Sequence, residues 1–437
     1  MEKSTSRQRA AGVSALLGLA TQIVGFTGWA QTTQLVSYLL WGAVALLWPD
    51  IPRRSRVQAG VLVAVGVLML LVARWVYGAT IDWPRVLEGN VFVVAMLIGV
   101  SFISLIGRQG NSSGGGKRQT GSGGSLRTWL GVHFLGAILN LSTIFMVGDR
   151  IARRAPLTTP HYLALNRGLS SAALWSPFFA SMGLVIALAP EVRYLNIALV
   201  GFPIAMLSGV ITTLELRRRF DLTEVDGFSL SPRSLLMPLG MAAGVMLFHF
   251  WLTPSLSIIS IITFLLPGVA VMANLRHGPV FTIKRLRQHT VNRLPAMRGE
   301  FSLFLAAGLL TIGLSTLVSA AAGKEWTLFE DFGIGQGLLS FAGIVTSALL
   351  GLHPIIGISV LASMLDLAAS EQTLFAFVAL SAWSVGTSVG PLSGINLSLQ
   401  GRYGVSSYQM MRDNLLYAGI MSLLSLGAIA GIGFIQP

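Results

Sequence analysis

The sequence predicts an all-α polytopic membrane protein, and its composition and the spacing of its apolar stretches lead to this prediction. Hydrophobic residues make up 53% of the 437 residues, and the mean hydropathy is +0.71. Only 11% of the residues are charged, against about 25% in an average soluble domain. Apolar stretches of about 20 residues recur from end to end, which is the length of a membrane-spanning helix and not of a barrel strand.

Charge and cysteine content exclude several other classes of protein. The chain has no cysteine, which excludes disulfides, thiolate catalysis and cysteine-ligated metals. The net charge of +13 is interpreted as an excess of Lys and Arg in cytoplasmic loops, so no nucleic-acid partner is expected. The apolar stretch that follows the first ten residues is expected to be a retained first span and not a cleaved signal peptide.

The apolar stretches predict about eleven spans and two re-entrant hairpins. The spans are expected near 11–30, 32–48, 57–77, 87–107, 162–190, 194–215, 233–252, 255–275, 300–322, 371–400 and 413–435. The hairpins are expected at about 117–150 and about 335–368.

Each hairpin is predicted from a different signal. The first has basic clusters on both sides, and a simple crossing would export one of them against the positive-inside rule. The second has Gly351-Leu-His353-Pro354 at its middle, where Gly and Pro favour a sharp turn. Threading the chain this way puts the N-terminus in the cytoplasm and the C-terminus outside the cytoplasmic (inner) membrane.

Sequence similarities between the two halves predict an internal repeat. Gly131-Val-His133 recurs as Gly351-Leu-His353, and Ser176-Pro177 recurs loosely as Gly390-Pro391. The predicted organisation is an accessory pair of spans at 1–56 and two inverted repeats at 57–219 and 220–437. Each repeat has a hairpin followed by a Pro-broken helix, at 162–190 and 371–400. Inverted repeats with discontinuous helices are the architecture of secondary transporters.

Two inverted repeats of this kind resemble the ion transporter superfamily, which includes the divalent anion/sodium symporters and the citrate carriers. The resemblance is architectural, extends from about residue 57 onward, and implies a secondary transporter. In the sodium-coupled members a Ser-Asn-Thr signature at each hairpin tip binds carboxylate and Na⁺. This sequence contains no Ser-Asn-Thr and is expected to have His133 and His353 at its tips. Dicarboxylate specificity and Na⁺ coupling are therefore not carried over.

The candidate substrate ligands lie where the two broken helices unwind, because freed N–H groups favour an anion and freed C=O groups favour a cation. They are Ser176, Pro177, Ser181, Thr387, Ser388, Gly390, Pro391, Ser393 and Asn396. The candidate coupling-ion residues are His133, His353, Asn140 and Gly386. The alternative for the Gly and Ser residues is that they serve close helix packing and not binding. The alternative for the two histidines is a purely structural role.

These residues predict a cation-coupled secondary active transporter that moves a small organic anion by alternating access. The coupling ion is expected to be H⁺ or Na⁺, with H⁺ preferred because histidine titrates near neutral pH. No other cofactor is expected. The alternatives are a lipid or lipid-carrier translocase and an intramembrane transferase; an enzyme is not expected, because no catalytic grouping of titratable residues is evident. The expected partners are the small anionic substrate and membrane lipid. The sequence leaves open whether the protein forms a homodimer.

Overall fold

The structure is a computed structural model that describes residues 5–28, 31–106, 120–228, 233–323 and 325–435. Every regular element within these ranges is a helix, and none of the described residues forms a strand. The prediction of an all-α protein is therefore confirmed. Residues 117–119 at the start of the predicted first hairpin lie outside the described residues.

The α-helices of the first half of the chain include both members of the predicted first hairpin. In order they are α1 Ser6–Gly25, α2 Thr33–Leu47, α3 Arg53–Tyr77, α4 Trp83–Leu87, α5 Val91–Ser101, α6 Gly121–Leu139, α7 Ser142–Ala152, α8 Thr159–Ala172, α9 Ala180–Leu188 and α10 Tyr194–Arg219.

The α-helices of the second half include those of the predicted second hairpin. In order they are α11 Arg233–Leu247, α12 Ile258–Leu275, α13 Pro279–Gln288, α14 Leu294–Ala296, α15 Arg298–Ala322, α16 Ile334–Leu349, α17 Pro354–Ser363, α18 Gln372–Val389, α19 Gly394–Tyr403 and α20 Ser407–Ile435.

Seven helical segments among the described residues are long and apolar enough to cross a membrane. They are Arg53–Tyr77, Trp83–Leu105, Tyr194–Arg219, Ile258–Leu275, Arg298–Ala322, Gln372–Tyr403 and Ser407–Ile435. Their length and composition support a membrane-embedded protein.

The chain forms two compact units, and each unit draws on both predicted repeats. Unit 1 consists of Met1–Gly110, Ala243–Leu328 and Ser359–Asp366. Unit 2 consists of Asn111–Ala242, Phe329–Ile358 and Leu367–Pro437.

The centre of unit 1 is the pair of long helices α3 and α15. They approach closely because small residues lie at the crossing: a Cβ on Gly66 would lie 3.0 Å from the Cα of Leu310, and one on Gly313 would lie 2.5 Å from the carbonyl oxygen of Gly66. Close backbone approach through glycine is a common way for membrane helices to pack.

Unit 2 contains the helix–turn–helix segment α6–α7, helix α16 with the turn and the first half of α17 up to Ile358, and two interrupted helices, α8–α9 and α18–α19. We call residues 173–179 break 1 and residues 390–393 break 2. Proline lies in both, at Pro177 and Pro391, and proline cannot donate the backbone hydrogen bond that a continuous helix needs.

The turn of the first hairpin differs from the expectation. It lies at Asn140, in left-handed backbone with a φ of 51°, and His133 lies within α6, two turns earlier. The placement of His133 at a tip is therefore wrong, because the apolar helix continues through Leu139. The turn of the second hairpin contains Gly351 with a φ of 102°, as expected from the Gly-Pro pattern.

Candidate functional site at the helix breaks

Break 1 is held by Ser176, which is fully buried. Its hydroxyl donates to the carbonyl oxygen of Ala137 in α6 and accepts a hydrogen bond of 3.2 Å from the backbone N–H of Phe178. Pro177 is buried beside it. Ser176 therefore replaces part of the backbone hydrogen bonding that the interruption removes.

Asn140 closes break 1 from the hairpin turn. Its side-chain amide donates to the carbonyl oxygen of Phe178 over 3.1 Å, and its Oδ1 accepts from the N–H of Ala180 over 3.3 Å. Asn140 thus bonds to two backbone groups at the entry to α9, the second half of the interrupted helix. Ser181 follows in the first turn of α9, fully buried, and its hydroxyl has no hydrogen-bond partner among the described residues.

Break 2 begins where the backbone N–H of Gly390 donates to the carbonyl oxygen of Gly386 over 2.7 Å. Pro391 is buried in the turn. The second half-helix starts at Ser393, whose hydroxyl accepts from the N–H of Asn396 over 3.3 Å. Ser393 is therefore the N-cap of α19, the role that Ser prefers at helix starts.

Asn396 bonds to backbone carbonyl groups on both sides of the end of α18. Its side-chain amide donates to the carbonyl oxygens of Ser388 over 3.2 Å and Gly390 over 2.9 Å. Its Oδ1 accepts from the side-chain amide of Asn166 in α8 over 2.8 Å. The same Asn166 nitrogen also donates to the Ser388 carbonyl over 3.2 Å.

The Oδ1 atom of Asn166 is buried and has no hydrogen-bond partner among the described residues. Rotating the Asn166 amide by 180° would not give this oxygen a donor, because it would then face the Ser388 carbonyl and the Asn396 Oδ1, both of which are acceptors. An unpaired buried carbonyl oxygen costs free energy unless a donor or a cation occupies the space beside it. Asn166 is the polar residue at break 2 that the sequence analysis missed.

The hydroxyls of Thr387 and Ser388 bond back to their own helix. Thr387 donates to the carbonyl oxygen of Trp383 over 2.8 Å, and Ser388 donates to that of Val385 over 2.7 Å. This pattern satisfies the hydroxyl hydrogen and leaves oxygen lone pairs available. Both side chains are buried.

The second hairpin packs tightly against α18 and break 2. A Cβ on Gly386 would lie 2.7 Å from Cγ of Pro354 and 3.1 Å from Cβ of Ala348. A Cβ on Gly390 would lie 3.1 Å from the carbonyl oxygen of Ala348. Packing therefore explains why glycine stands at 386 and 390, and both breaks lie against the turn region of a hairpin.

His133 is hydrogen bonded on both ring nitrogens and fully buried. Nε2 accepts from the indole N–H of Trp175 over 3.0 Å, so the proton must be on Nδ1, which lies 3.1 Å from the carbonyl oxygen of Gly168. Trp129 stacks on the ring with centroids 4.6 Å apart. Protonation of Nε2 would break the bond to Trp175, so these contacts suit a structural histidine better than a proton carrier.

His353 lies in the turn of the second hairpin. Its Nδ1 accepts from the backbone N–H of Ile355 over 3.2 Å, which caps the start of α17. Trp383 of α18 lies edge-on to the ring, with centroids 5.1 Å apart. His353 is therefore next to the helix that ends in break 2.

A buried ion pair follows Asn166 directly in the sequence. The Arg167 side chain is fully buried, and its Nη1 lies 2.9 Å from Oε2 of Glu215 in α10. Its Nε donates to Oδ1 of Asn414 in α20 over 2.8 Å, and its guanidinium lies 4.5 Å from the ring centroid of Tyr417. These contacts tie α8 to α10 and α20.

The sequence analysis did not select Arg167, although a signal was present. Arg167 is an ionisable residue inside the predicted span 162–190, and such residues mark a paired or functional position by default. Its partner Glu215 stands at the last residue of the predicted span 194–215.

The ends of the half-helices define the electrostatics of this site. The C-terminal ends of α8 and α18 favour positive charge, and the N-terminal ends of α9 and α19 favour negative charge. No cluster of three or more His, Asp or Glu that could hold a metal occurs among the described residues. The atoms near break 2 that could bind a ligand are neutral oxygens. Such oxygens suit a monovalent cation or a group that donates a hydrogen bond.

A cavity of about 710 Å³ lies elsewhere in unit 2, and none of the predicted site residues lines it. Its lining residues are Glu191, Arg193, Asn196, Leu199, Val200, Ala369, Ser370, Thr373, Ile432 and Ile435.

Comparison with known proteins gives no assignment of family: no family model and no curated protein matches the chain.

Proposed function

We propose that this chain is a secondary active transporter that moves a small organic anion across the cytoplasmic membrane and couples it to a cation gradient. The observation that carries the proposal is the presence in one compact unit of two interrupted helices, each packed against the turn region of a hairpin. Interrupted helices at membrane depth persist only where protein or water satisfies their backbone, and in transporters they form the substrate and ion sites.

A nearly constant offset between two sets of helix starts supports the same proposal. Five helices begin at residues 121, 142, 159, 180 and 194, and five others begin at 334, 354, 372, 394 and 407. Each start in the second set follows its counterpart by 212 to 214 residues. Under this pairing Asn140 corresponds to His353, so a polar side chain occupies the equivalent position in both hairpin turns. We propose that the two sets are the inverted repeats.

Within this proposal break 2 is the place for the coupling cation. The unpaired Oδ1 of Asn166 lies beside carbonyl groups near the C-terminal end of α18, where the helix dipole favours positive charge. The anion is assigned to the N-terminal ends of α9 and α19. Ser181, with its unpartnered buried hydroxyl, is the candidate substrate ligand at α9.

The test is uptake of radiolabelled small carboxylates and other organic anions into proteoliposomes that contain the full chain. A Na⁺ gradient and a pH gradient are imposed separately, with protein-free liposomes as the control. We expect accumulation of one anion class above its equilibrium level under one of the two gradients. The absence of accumulation under both gradients, together with protein-dependent movement of a fluorescent lipid between leaflets, would instead favour a lipid translocase.

The coupling ion is tested with His353→Gln, which keeps hydrogen bonding but does not titrate between pH 5 and 8. If H⁺ is the coupling ion and His353 carries it, the variant loses pH-driven uptake while keeping exchange of internal for external substrate. If Na⁺ is the coupling ion, Na⁺-driven uptake remains in His353→Gln.

A further inference from the structure

Helix α13 in unit 1 has an exposed face, and it lies in a strongly basic segment of the chain. The 23 residues from Arg276 to Arg298 contain six Lys and Arg residues and no acidic residue. The helix begins only four residues after α12, a candidate membrane span, ends at Leu275. Gly278 turns the chain between them with a φ of 97°. Helix α13 therefore begins beside the end of a candidate membrane span.

One face of α13 is anchored to the protein. Thr282 of α13 is buried, and so are His289 and Thr290 in the π-helical turn that follows α13 directly. Nε2 of His289 lies 3.0 Å from the hydroxyl of Ser101. Burial and the nearby Arg293 lower the pKa of His289 to about 3, so this anchor is neutral at physiological pH.

The opposite face of α13 combines apolar and basic side chains. Val280 is 79% exposed and Ile283 is 65% exposed, and Lys284 and Arg287 are exposed on the same side. Among the described residues neither of these two cations has an ion-pair partner. Apolar side chains flanked by Lys and Arg on one helix face are typical of helices that lie in a lipid headgroup layer.

We propose that this face of α13 binds the anionic phospholipid surface of the membrane. Val280 and Ile283 enter the boundary between headgroups and acyl chains, and Lys284 and Arg287 contact phosphate groups. The absence of acidic residues between Arg276 and Arg298 leaves the field of this face uniformly positive, which attracts anionic lipid over zwitterionic lipid.

The experiment uses the full chain in nanodiscs of phosphatidylcholine alone or of phosphatidylcholine with phosphatidylglycerol. Because the chain has no cysteine, Val280→Cys provides a single site for an environment-sensitive fluorophore. Its accessibility is measured with acrylamide, a neutral quencher that the surface potential does not concentrate. We expect several-fold weaker quenching when phosphatidylglycerol is present, and added salt should reverse part of the protection.

The matched variants remove two positive charges each. Lys284→Gln with Arg287→Gln should abolish the difference between the two lipid compositions, whereas Arg217→Gln with Arg218→Gln, two exposed residues at the end of α10, should keep it. Equal quenching in both lipid compositions with the native basic residues would overturn the proposal, and this measurement needs no charge variant. Stronger protection by a soluble polyanion such as heparin than by phosphatidylglycerol would also overturn it, in favour of an acidic macromolecular partner.

Discussion

Break 1 takes its replacement hydrogen bonds from the hairpin that precedes it, whereas break 2 takes them from its own second half-helix and from a neighbouring helix. Asn140 in the hairpin turn uses both its donor and its acceptor at break 1. At break 2 Asn396 and Asn166 share the task, and the Oδ1 of Asn166 remains unpaired. Asn140 is fully used at break 1, whereas the Oδ1 of Asn166 at break 2 is a buried acceptor without a partner among the described residues, so break 2 is the better candidate for binding a cation.

The largest expected effect tests what holds α8 in place beside break 2. In Glu215→Ala the buried guanidinium of Arg167 loses its carboxylate, and breaking a buried pair in this way costs about 3–5 kcal/mol. The midpoint of thermal unfolding in detergent should fall strongly. The matched control is Asp149→Ala, which breaks the pair with Arg402, whose side chain is 56% exposed, and should change the midpoint little. Similar losses in the two variants would show that Arg167 does not depend on its buried partner.

The two asparagines at the breaks provide the second test. Asn396→Ala removes three buried hydrogen bonds, to the Ser388 and Gly390 carbonyls and to the Asn166 amide. Each carbonyl keeps one other donor, so the cost is that of the lost bonds, about 0.5–1.5 kcal/mol for each. Asn140→Ala should cost less, because Asn140 is only partly buried and water can replace it. The thermal midpoints of the two variants are compared directly. A larger loss in Asn140→Ala would reverse the order of importance of the two breaks.

Close packing of the second hairpin against break 2 is tested with two glycines. A Cβ on Gly390 would lie 3.1 Å from the carbonyl oxygen of Ala348 in the second hairpin and 2.6 Å from that of Gly386 in α18, whereas a Cβ on Gly394 meets nothing within 4 Å. Gly390→Ala should therefore destabilise the protein by about 1–3 kcal/mol, and Gly394→Ala should not show this steric cost. Equal thermal midpoints would mean that the hairpin turn yields easily around break 2.

The smallest expected effect on stability separates binding from packing. Thr387→Ala and Ser388→Ala each remove a hydroxyl that bonds only to a carbonyl of its own helix, so each should cost about 1 kcal/mol or less. If break 2 binds the coupling ion, cation-driven uptake should weaken at a nearly unchanged thermal midpoint. Thr213→Ala is the control, because Thr213 makes the same kind of bond in α10, to Gly209. Equal uptake in all three variants would contradict a role of these hydroxyls in binding.

The second hairpin and the two breaks could be predicted from the sequence because local signals mark them, whereas the first hairpin was predicted from the basic clusters on both sides of it and its turn was misplaced. Proline and glycine interrupt the apolar pattern near 177, 351 and 391, and the observed helices follow the predicted bounds within a few residues. Such signals act through the backbone of the residues that carry them. Their effect on the backbone does not depend on the neighbouring helices.

The internal match between Gly131-Val-His133 and Gly351-Leu-His353 was misleading, because the role of each glycine depends on its surroundings in the fold. Gly351 lies in a turn with positive φ, whereas Gly131 lies within α6, where its missing side chain makes room for Phe228. The same two residue types serve a turn in one place and helix packing in the other. Only the neighbouring residues distinguish these uses.

The sequence by itself determined that the chain consists of apolar helices, that proline interrupts two of them and that a glycine turn forms the second hairpin, because hydropathy, glycine and proline act locally. The tertiary structure decided which polar side chains satisfy each break. Asn166 meets Asn396 across 230 residues of chain, and Arg167 meets Asn414 across 247. Buried amides and charges must find partners wherever the fold brings them, and such long-range pairings leave no periodic signal in the sequence.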